Sequence, residues 1–240
     1  MGANGEQHLA PAAAWAGAFG ACVVGDWLLG RWVLVPVFVA AFYGGMIVID
    51  LLTYPMLSFW RGWLRRRGLR AWYLVEVVGM WGGTTLLIVA LAPWWLSEAQ
   101  GWLPLRALGG LLALVSVAVG TWACYKMGWA RLLFAGALFP PGSGAEENGV
   151  PQRLVVEGPY RHVRNPLYIS DFALILGTAL LANSHFLFVL AALYVAQLAL
   201  QLPLEERELH RRFGPRYSRY CEQVPRFVPR IRPISPGELE

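Results

Sequence analysis

The sequence predicts an all-α polytopic integral membrane protein, and three observations support that fold class. Of its 240 residues, 57% are hydrophobic and 15% are charged, whereas a soluble chain of ordinary composition carries about 25% charged residues. Its mean hydropathy is +0.46. The apolar residues form runs near the length of about 20 residues that crosses a bilayer, and short basic or Gly/Pro-rich stretches separate them. The chain is therefore expected to fold as a helical membrane bundle.

About six transmembrane helices are predicted from these runs. The composition of the first run leaves open whether it crosses the membrane. The last two runs are short and meet at residues 183–185, whose polar side chains predict a tight helical hairpin turned at a water-facing surface. In chain order, the candidate spans are residues 10–28, 33–56, 72–95, 103–124, 167–183 and 186–203.

The placement of arginine predicts the orientation of the bundle. Residues 61–70 hold five Arg, whereas the connections at residues 25–31 and 97–106 hold one each. Basic loops remain on the cytoplasmic side, so residues 61–70 are expected there. Counting spans from this loop puts both termini, the segment 126–164 and the tail from Arg207 in the cytoplasm. The net charge of +5 is therefore attributed to membrane topology and not to nucleic-acid binding.

The chain is predicted to have two parts joined by a linker. Residues 1–139 form the transmembrane bundle, and residues 140–152 have the Gly/Pro/Ser-rich composition of a flexible linker. Residues 151–240 form a C-terminal module, in which a polar, Gly/Pro-punctuated stretch leads into the helical hairpin and a cytoplasmic tail. This module is expected to hold the functional site.

Three acidic residues lie within apolar spans, near their cytoplasmic ends: Asp50, Glu76 and Asp171. A charge inside a span costs about 2.5–3.5 kcal/mol on insertion scales, so each acid is a candidate functional residue. The alternative is that these acids only pair with arginines of residues 61–70 or of the tail. Under either interpretation, a polar cavity opens at the cytoplasmic end of the bundle.

The step Arg164-Asn165-Pro166 predicts a helix that starts at Pro166, because Asn is a strong N-cap and Pro is favoured at the first helical position. The unpaired N–H groups of that helix start could hold a carboxylate or a phosphate. An ordinary capped helix is the alternative. A dense set of polar and aromatic residues favours the functional interpretation: Gly158, Tyr160, Arg161, His162, Arg164 and Tyr168.

The sixth span is predicted to continue as an amphipathic helix that stops at Gly214-Pro215. Glu205 and Glu206 come where this span leaves the bilayer. They could form a solvated turn whose negative charge balances the positive charge of the arginines that follow. Because a hairpin returns the end of its second helix to the start of its first, Glu205 is expected beside Asn165.

Several common site motifs are absent from the sequence. It contains no dinucleotide-binding, P-loop, zinc-protease or nucleophile-elbow signature. The cysteines have no CxxC spacing and the histidines have no metal-ligand spacing, so no metal site is predicted. These residues are Cys22, Cys124, Cys221, His8, His162, His185 and His210.

Four stretches in the last third of the chain occur in a family-like order. They are GPYRHVRNPLY (158–168), LEERELHRRFG (204–214), RYSRY (216–220) and VPRFVPR (224–230). Together they resemble the isoprenylcysteine carboxyl methyltransferase family, which is related to the phospholipid N-methyltransferases. The resemblance implies an integral membrane enzyme that uses S-adenosylmethionine as its cofactor and methylates a lipid-soluble acceptor. The N-terminal spans resemble the family in hydropathy only.

The resemblance also implies site residues. Tyr160 and Tyr168 could face the sulfonium through cation–π contact, and Glu205 could balance its charge. The position that contacts the acceptor falls on Gln201, and no catalytic residue is assigned. The expected cofactor-binding residues are Gln152, Arg153, Leu154, Val155, Tyr160, Asn165, Pro166, Leu167, Tyr168 and Glu205.

Two departures from the family pattern bear on the acceptor. The family typically has His at the position of Asn165, and its prenylcysteine enzymes have Arg at the position of Gln201. Gln cannot supply the positive charge that would pair with a substrate carboxylate. A prenylcysteine carboxylate is therefore disfavoured as the methyl acceptor. A prenylated thioether, a phospholipid amine, a thiol and a quinone-like ring stay open. For an amine or thiol, Glu206 or Asp171 could take the released proton.

Two other functions compete with a methyltransferase. One is a membrane NADPH-dependent reductase of the sterol reductase type, because such enzymes look similar in their C-terminal halves. The other is a non-enzymatic membrane scaffold that retains the pocket. The joint presence of Tyr160, Pro166, Tyr168 and Glu205 favours an enzyme over a scaffold.

Overall fold

The computed structural model describes residues 3–96, 101–127, 138 and 154–234, and every regular element within them is helical. The all-α class is therefore confirmed over these ranges. A π-helical segment, Leu74–Gly82, joins the helices Leu69–Tyr73 and Gly83–Trp95, and a 3-10 turn, Gly158–Arg161, precedes the helix Pro166–Ala182. The helices are α1 (Ala3–Leu29), α2 (Leu34–Thr53), α3 (Leu57–Arg67), α4 (Leu69–Tyr73), α5 (Gly83–Trp95), α6 (Leu103–Met127), α7 (Pro166–Ala182), α8 (His185–Phe213) and α9 (Pro215–Gln223).

Each predicted span overlaps helical residues. The first and fifth predicted spans fall on shorter apolar stretches, Ala13–Leu29 within α1 and Pro166–Ala182, which is α7. The predicted linker at 140–152 lies outside the described residues, so the division of the chain into two parts stays a prediction. By length and composition, four helical stretches of the described residues can cross a membrane: Leu34–Thr53, Arg70–Trp95, Leu103–Met127 and His185–Phe213.

The basic segment at residues 61–70, expected as a loop, is largely helical. It lies mostly in α3, which ends where Gly68 adopts a φ of 82°. The rings of Trp60 and Trp63 pack in one cluster with the fully buried Trp72, and the Trp60 and Trp72 centroids are 5.1 Å apart. Aromatic rings bury a large apolar area. This cluster therefore docks α3 at one end of the bundle, which a count of arginines does not reveal.

The turn between α1 and α2 is closed by a buried acid. Asp26 is 2% exposed, and its carboxylate accepts backbone N–H bonds from Val33, Leu34 and Val35 at 2.9, 2.7 and 2.8 Å. The first N–H groups of a helix have no partner within the helix. Asp26 therefore caps α2 from eight or so residues away, without any cation beside it in the described contacts.

Helices α6 and α7 approach closely because glycines face each other. A Cβ at Gly109 would lie 2.6 Å from the carbonyl oxygen of Gly177, and a Cβ at Gly177 would lie 2.8 Å from that of Gly109. At Gly120, a Cβ would lie 3.0 Å from the hydroxyl oxygen of Ser170. Small residues at helix contacts let membrane helices pack backbone to backbone. This contact fixes α7, and therefore its first turn, against α6.

The predicted hairpin is present. Helix α7 ends at Ala182, Asn183 adopts a left-handed φ of 50°, and α8 begins at His185. Helix α8 then continues to Phe213, where Gly214 with a φ of 52° ends it. Both the turn and the helix end agree with the sequence-based expectation. The hairpin brings the end of α8 back to the start of α7, at the same end of the bundle as α3.

Candidate active site

The end of α8 lies against the start of α7. The hydroxyl of Tyr168 donates a hydrogen bond to Glu205 Oε2 at 2.6 Å, and Arg164 pairs with Glu206 at 3.3 Å. Glu206 also pairs with Arg226 of the tail. Two adjacent carboxylates of α8 are therefore held at the first turn of α7, where hairpin geometry places them.

The start of α7 has no side-chain cap. Asn165 occupies the N-cap position, but its Nδ2 donates to the carbonyl oxygen of Arg226 at 3.2 Å and its side chain makes no capping bond. Pro166 follows at the first helical position, where its missing N–H costs nothing. The remaining N–H groups of this turn and the positive end of the helix dipole can therefore receive an anion.

A row of polar side chains on α8 connects this helix start to the bundle interior. Gln197 donates to Asp50 Oδ2 at 2.8 Å and also to the side-chain oxygen of Gln201. Gln201 in turn donates to the hydroxyl oxygen of Tyr168 at 3.1 Å. One hydrogen-bonded chain therefore runs from Asp50 to Glu205. Gln197 was not expected at this site, although its spacing of four residues from Gln201 puts both on one helix face.

Asp171 is the centre of a second buried network. Its two oxygens accept hydroxyl donors from Tyr43 at 2.8 Å and from Tyr194 at 3.0 Å, and all three residues are buried. Asp50 and Asp171 are thus paired with neutral side chains and not with the basic loop or tail. Asp171 bridges α2, α7 and α8. Neither Tyr43 nor Tyr194 was expected here, because a tyrosine in an apolar span gives no local signal.

Glu76 is the third acid expected inside a span, and it is 1% exposed. Its carboxylate lies beside the indole of the fully buried Trp72. It lies in the π-helical segment and not at the start of α7. Glu76 is therefore not a member of the hydrogen-bonded chain that ends at Glu205, but its charge interacts with that of Asp50.

Tyr160 precedes α7 and is 4% exposed. Its carbonyl oxygen accepts a hydrogen bond from the Tyr220 hydroxyl at 2.7 Å. Its own hydroxyl has no partner among the described residues. Burial, followed by the nearby Cys124 thiol, raises the pKa of Tyr160 well above its usual value, so this hydroxyl keeps its proton. A buried hydroxyl without a partner costs about 1–3 kcal/mol, which a bound ligand could recover.

Tyr54 directly follows α2 and was not expected at the site. Gln201 makes a hydrogen bond to its side chain. Tyr54 and Tyr168 therefore both contact Gln201, and both lie close to Glu205. No pattern in the sequence marks Tyr54, which follows an apolar span like any interfacial aromatic residue.

The other expected cofactor-binding residues occupy different positions. Leu167 is partly buried in the first turn of α7. Leu154 is buried in a cluster with Tyr217, Tyr220 and other residues of the tail, so its side chain contributes to packing. Val155 beside it is partly buried. Gln152 and Arg153 lie outside the described residues. The structure thus joins Gln201 and Glu205 through their hydrogen bonds with the Tyr168 hydroxyl.

The C-terminal tail lies over the segment that precedes α7. The N–H of Arg164 donates to the carbonyl oxygen of Pro225 at 2.9 Å, and the N–H of Arg230 donates to that of His162 at 3.0 Å. Ile234 at the far end of this tail is 1% exposed. Backbone hydrogen bonds therefore hold the tail beside the uncapped helix start.

The part of the chain that builds this arrangement has known relatives. Residues 105–216 match the phospholipid methyltransferase family. The match covers less than half of the chain and runs from α6 through α8 to the first residues of α9. Methyltransferases of this family use S-adenosylmethionine as their cofactor. This is the broader family to which the sequence resemblance points.

Two curated proteins are similar to part of the chain. A methanethiol S-methyltransferase from Crocosphaera subtropica is 30% identical over 86 residues, which cover 36% of this chain and 33% of the relative. The nickel-cobalt-cadmium resistance protein NccN of Alcaligenes xylosoxydans xylosoxydans is 35% identical over 82 residues, which cover 32% of this chain and 37% of the relative. The chain thus spans about a third of the length of each. No solved structure matches the chain.

Proposed function

We propose that the protein is a membrane methyltransferase of the isoprenylcysteine carboxyl methyltransferase type, which methylates a lipid-soluble acceptor at the expense of S-adenosylmethionine. The observation that supports this most directly is the contact of Tyr168, Gln201 and Glu205 at the uncapped start of α7. An acid, aromatic rings and a helix N-terminus then surround one site. These groups complement a donor that carries both a positive charge and a carboxylate.

The residues at the site fit such a donor. Glu205 would offset the positive charge, and the N–H groups of the first turn of α7 would hold the carboxylate. The unpartnered hydroxyl of Tyr160 leaves a buried donor for a further polar contact. Additional contacts are proposed at residues 152–155 and at Asn165, Pro166 and Leu167. When bound, S-adenosylmethionine supplies an already activated methyl group.

The protein's own contribution is therefore alignment of the acceptor and exclusion of water. Gln201 is 4% exposed and would contact the acceptor. Two acids are linked to Gln201 through one side chain each, Asp50 through Gln197 and Glu205 through Tyr168, which favours a neutral or cationic acceptor over a carboxylate. Neither expected base is well placed to take a proton, because Asp171 is held by two tyrosines and Glu206 by two arginines.

Ligand binding tests the proposal before the acceptor is known. Calorimetry on the detergent-solubilised full chain should show binding of S-adenosylhomocysteine and no specific binding of NADPH. Membranes incubated with methyl-labelled S-adenosylmethionine should then yield a labelled lipid for identification. Binding of NADPH, with no response to S-adenosylhomocysteine at millimolar concentration, would contradict the proposal and favour a reductase.

The orientation of the site is also a prediction. We propose that both termini and the site face the cytoplasm, because the arginines of α3 and of the tail lie at the same end of the bundle. Arg67→Cys and Arg216→Cys, both at exposed positions, should react with an impermeant thiol reagent only in inverted or opened membranes. Arg31→Cys, at the opposite end of α2, should react in intact cells. The reverse pattern would overturn this orientation.

A further inference from the structure

Residues 226–232 form an exposed segment in which arginines flank large apolar side chains. We call it the arginine-flanked segment. Phe227, Val228 and Ile231 are 42%, 78% and 96% exposed. Three of the seven residues are arginine and none is acidic. Adjacent apolar side chains that are this exposed, with cationic groups around them, indicate a surface that meets a partner.

The arginine-flanked segment is held at the level where α7 begins. The backbone N–H of Arg230 donates to His162, and the side chain of Asn165 donates to the carbonyl oxygen of Arg226 at 3.2 Å. Helix α7 is an apolar helix of 17 residues, so its first turn lies near the boundary between hydrocarbon and headgroups. The segment is therefore at headgroup depth and not out in the water.

The end of the bundle that carries the segment is basic. The last turn of α3 holds three consecutive arginines, residues 65–67, and α3 also presents Phe59 at 48% exposure. Arg61 of α3 pairs with Glu208 of α8 at 2.7 Å, which ties α3 to the α8 end. Two separate parts of the chain thus offer the same combination of exposed apolar and cationic side chains at one face.

We propose that the arginine-flanked segment is an interfacial anchor for anionic phospholipids of the leaflet that this end of the bundle faces. Phe227, Val228 and Ile231 insert among the headgroups, and the exposed Arg232 binds a lipid phosphate, while Arg226 and Arg230 hold the segment in place through Glu206 and the carbonyl oxygen of Gln223. Anionic lipid attracts a cluster of basic residues by about 1 kcal/mol per residue near the surface. A neutral protein partner lacks that charge complement. The anchor is an interaction surface beyond the proposed methyl transfer.

Short contacts connect the arginine-flanked segment to the proposed donor site. Arg226 lies within the segment and pairs with Glu206, the residue next to Glu205. The backbone of the same arginine accepts the hydrogen bond from Asn165 at the start of α7. The segment therefore fixes Asn165 in the orientation that leaves the helix start uncapped, and lipid that binds the segment stabilises that arrangement.

The test uses the full chain in nanodiscs of phosphatidylcholine with or without phosphatidylglycerol, with brominated acyl chains as quenchers. A fluorescent non-natural amino acid replaces Ile231, and in a control chain it replaces Glu222, which is exposed on α9. We expect quenching about twofold stronger or more at position 231 than at position 222, with the larger difference in the anionic discs. The measurement needs no methyl transfer, so it can fail or succeed independently of the proposed function.

Variants separate the apolar and the charged contributions. Val228→Asp and Arg232→Gln should each reduce the quenching at position 231, whereas Val228→Leu should retain it. Thermal unfolding of each variant in detergent, where no bilayer is present, should match the parent chain because both positions are exposed. Equal quenching at positions 231 and 222, or quenching at 231 that ignores both the lipid charge and the variants, would overturn the proposal.

Discussion

Glu205→Gln is expected to lower the affinity for S-adenosylmethionine by about tenfold or more, which corresponds to about 1.4 kcal/mol. The substitution removes the charge that would offset the sulfonium, yet the amide oxygen can still accept the hydrogen bond that Tyr168 donates at 2.6 Å. The fold should therefore persist, with an unchanged thermal unfolding midpoint. Calorimetry with S-adenosylmethionine and S-adenosylhomocysteine on the solubilised variant measures the effect.

The matched control is Glu208→Gln, three residues further along the same helix. Glu208 pairs with Arg61 and Arg212 and makes no described contact with Tyr168. Its replacement should leave both ligand affinities at the parent value. If Glu205→Gln also retained the parent affinity, Glu205 would only be a hydrogen-bond acceptor in a polar turn, and the proposed donor site would be wrong. A loss confined to S-adenosylmethionine would place the sulfonium next to this carboxylate.

Gly177→Ala is expected to destabilise the protein by about 1–3 kcal/mol, because it adds a methyl group to a contact that has no room for one. The new Cβ would lie 2.8 Å from the carbonyl oxygen of Gly109 and 2.9 Å from the backbone nitrogen of Ala113. Backbone atoms cannot rotate away as a side chain can, so α6 and α7 must separate. A lower thermal unfolding midpoint of the detergent-solubilised chain checks this.

Gly110→Ala is the control for that substitution, since it changes the same residue type on the same helix contact. Its Cβ would meet only Leu181 Cδ1, at 3.7 Å, which is an ordinary van der Waals distance. The midpoint of this variant should therefore equal or exceed that of the parent, because alanine is the better helix former. Equal midpoints for Gly177→Ala and Gly110→Ala would show that α6 and α7 do not pack backbone to backbone.

The helices and their ends were largely predictable from the sequence. In a membrane each backbone group must be satisfied within its own element, so a long apolar run has few choices other than a helix. Pro166 and Gly214 mark two helix ends by their backbone chemistry alone, and the structure has ends at both. The hairpin then follows from polar residues between two short runs, and it brings Glu205 to the start of α7.

The partners of the buried acids were not predictable in the same way. Tyr43 and Asp171 are 128 residues apart, and Gln197 and Asp50 are 147 residues apart. A local pattern contains no information about which distant side chain satisfies a buried carboxylate, and pairing with arginine was the only partner type that the charge distribution suggested. The tryptophan contacts that dock the basic helix α3 were not predicted for the same reason. Trp72 stabilises this contact by its shape and burial, and no local sequence pattern indicates which residues pack against it.

The cap that Asp26 provides has a consequence for how the chain assembles. Its three donors lie only seven, eight and nine residues along the chain, so the first hairpin needs no partner from later helices to satisfy its turn. Contacts that are close in sequence form early, because little chain entropy is lost in making them. During synthesis, the turn between α1 and α2 can therefore close once residue 35 has emerged, before the rest of α2 is made. Tyr43 and Asp50 of α2 form their hydrogen bonds only later, when α7 and α8 have inserted into the bilayer.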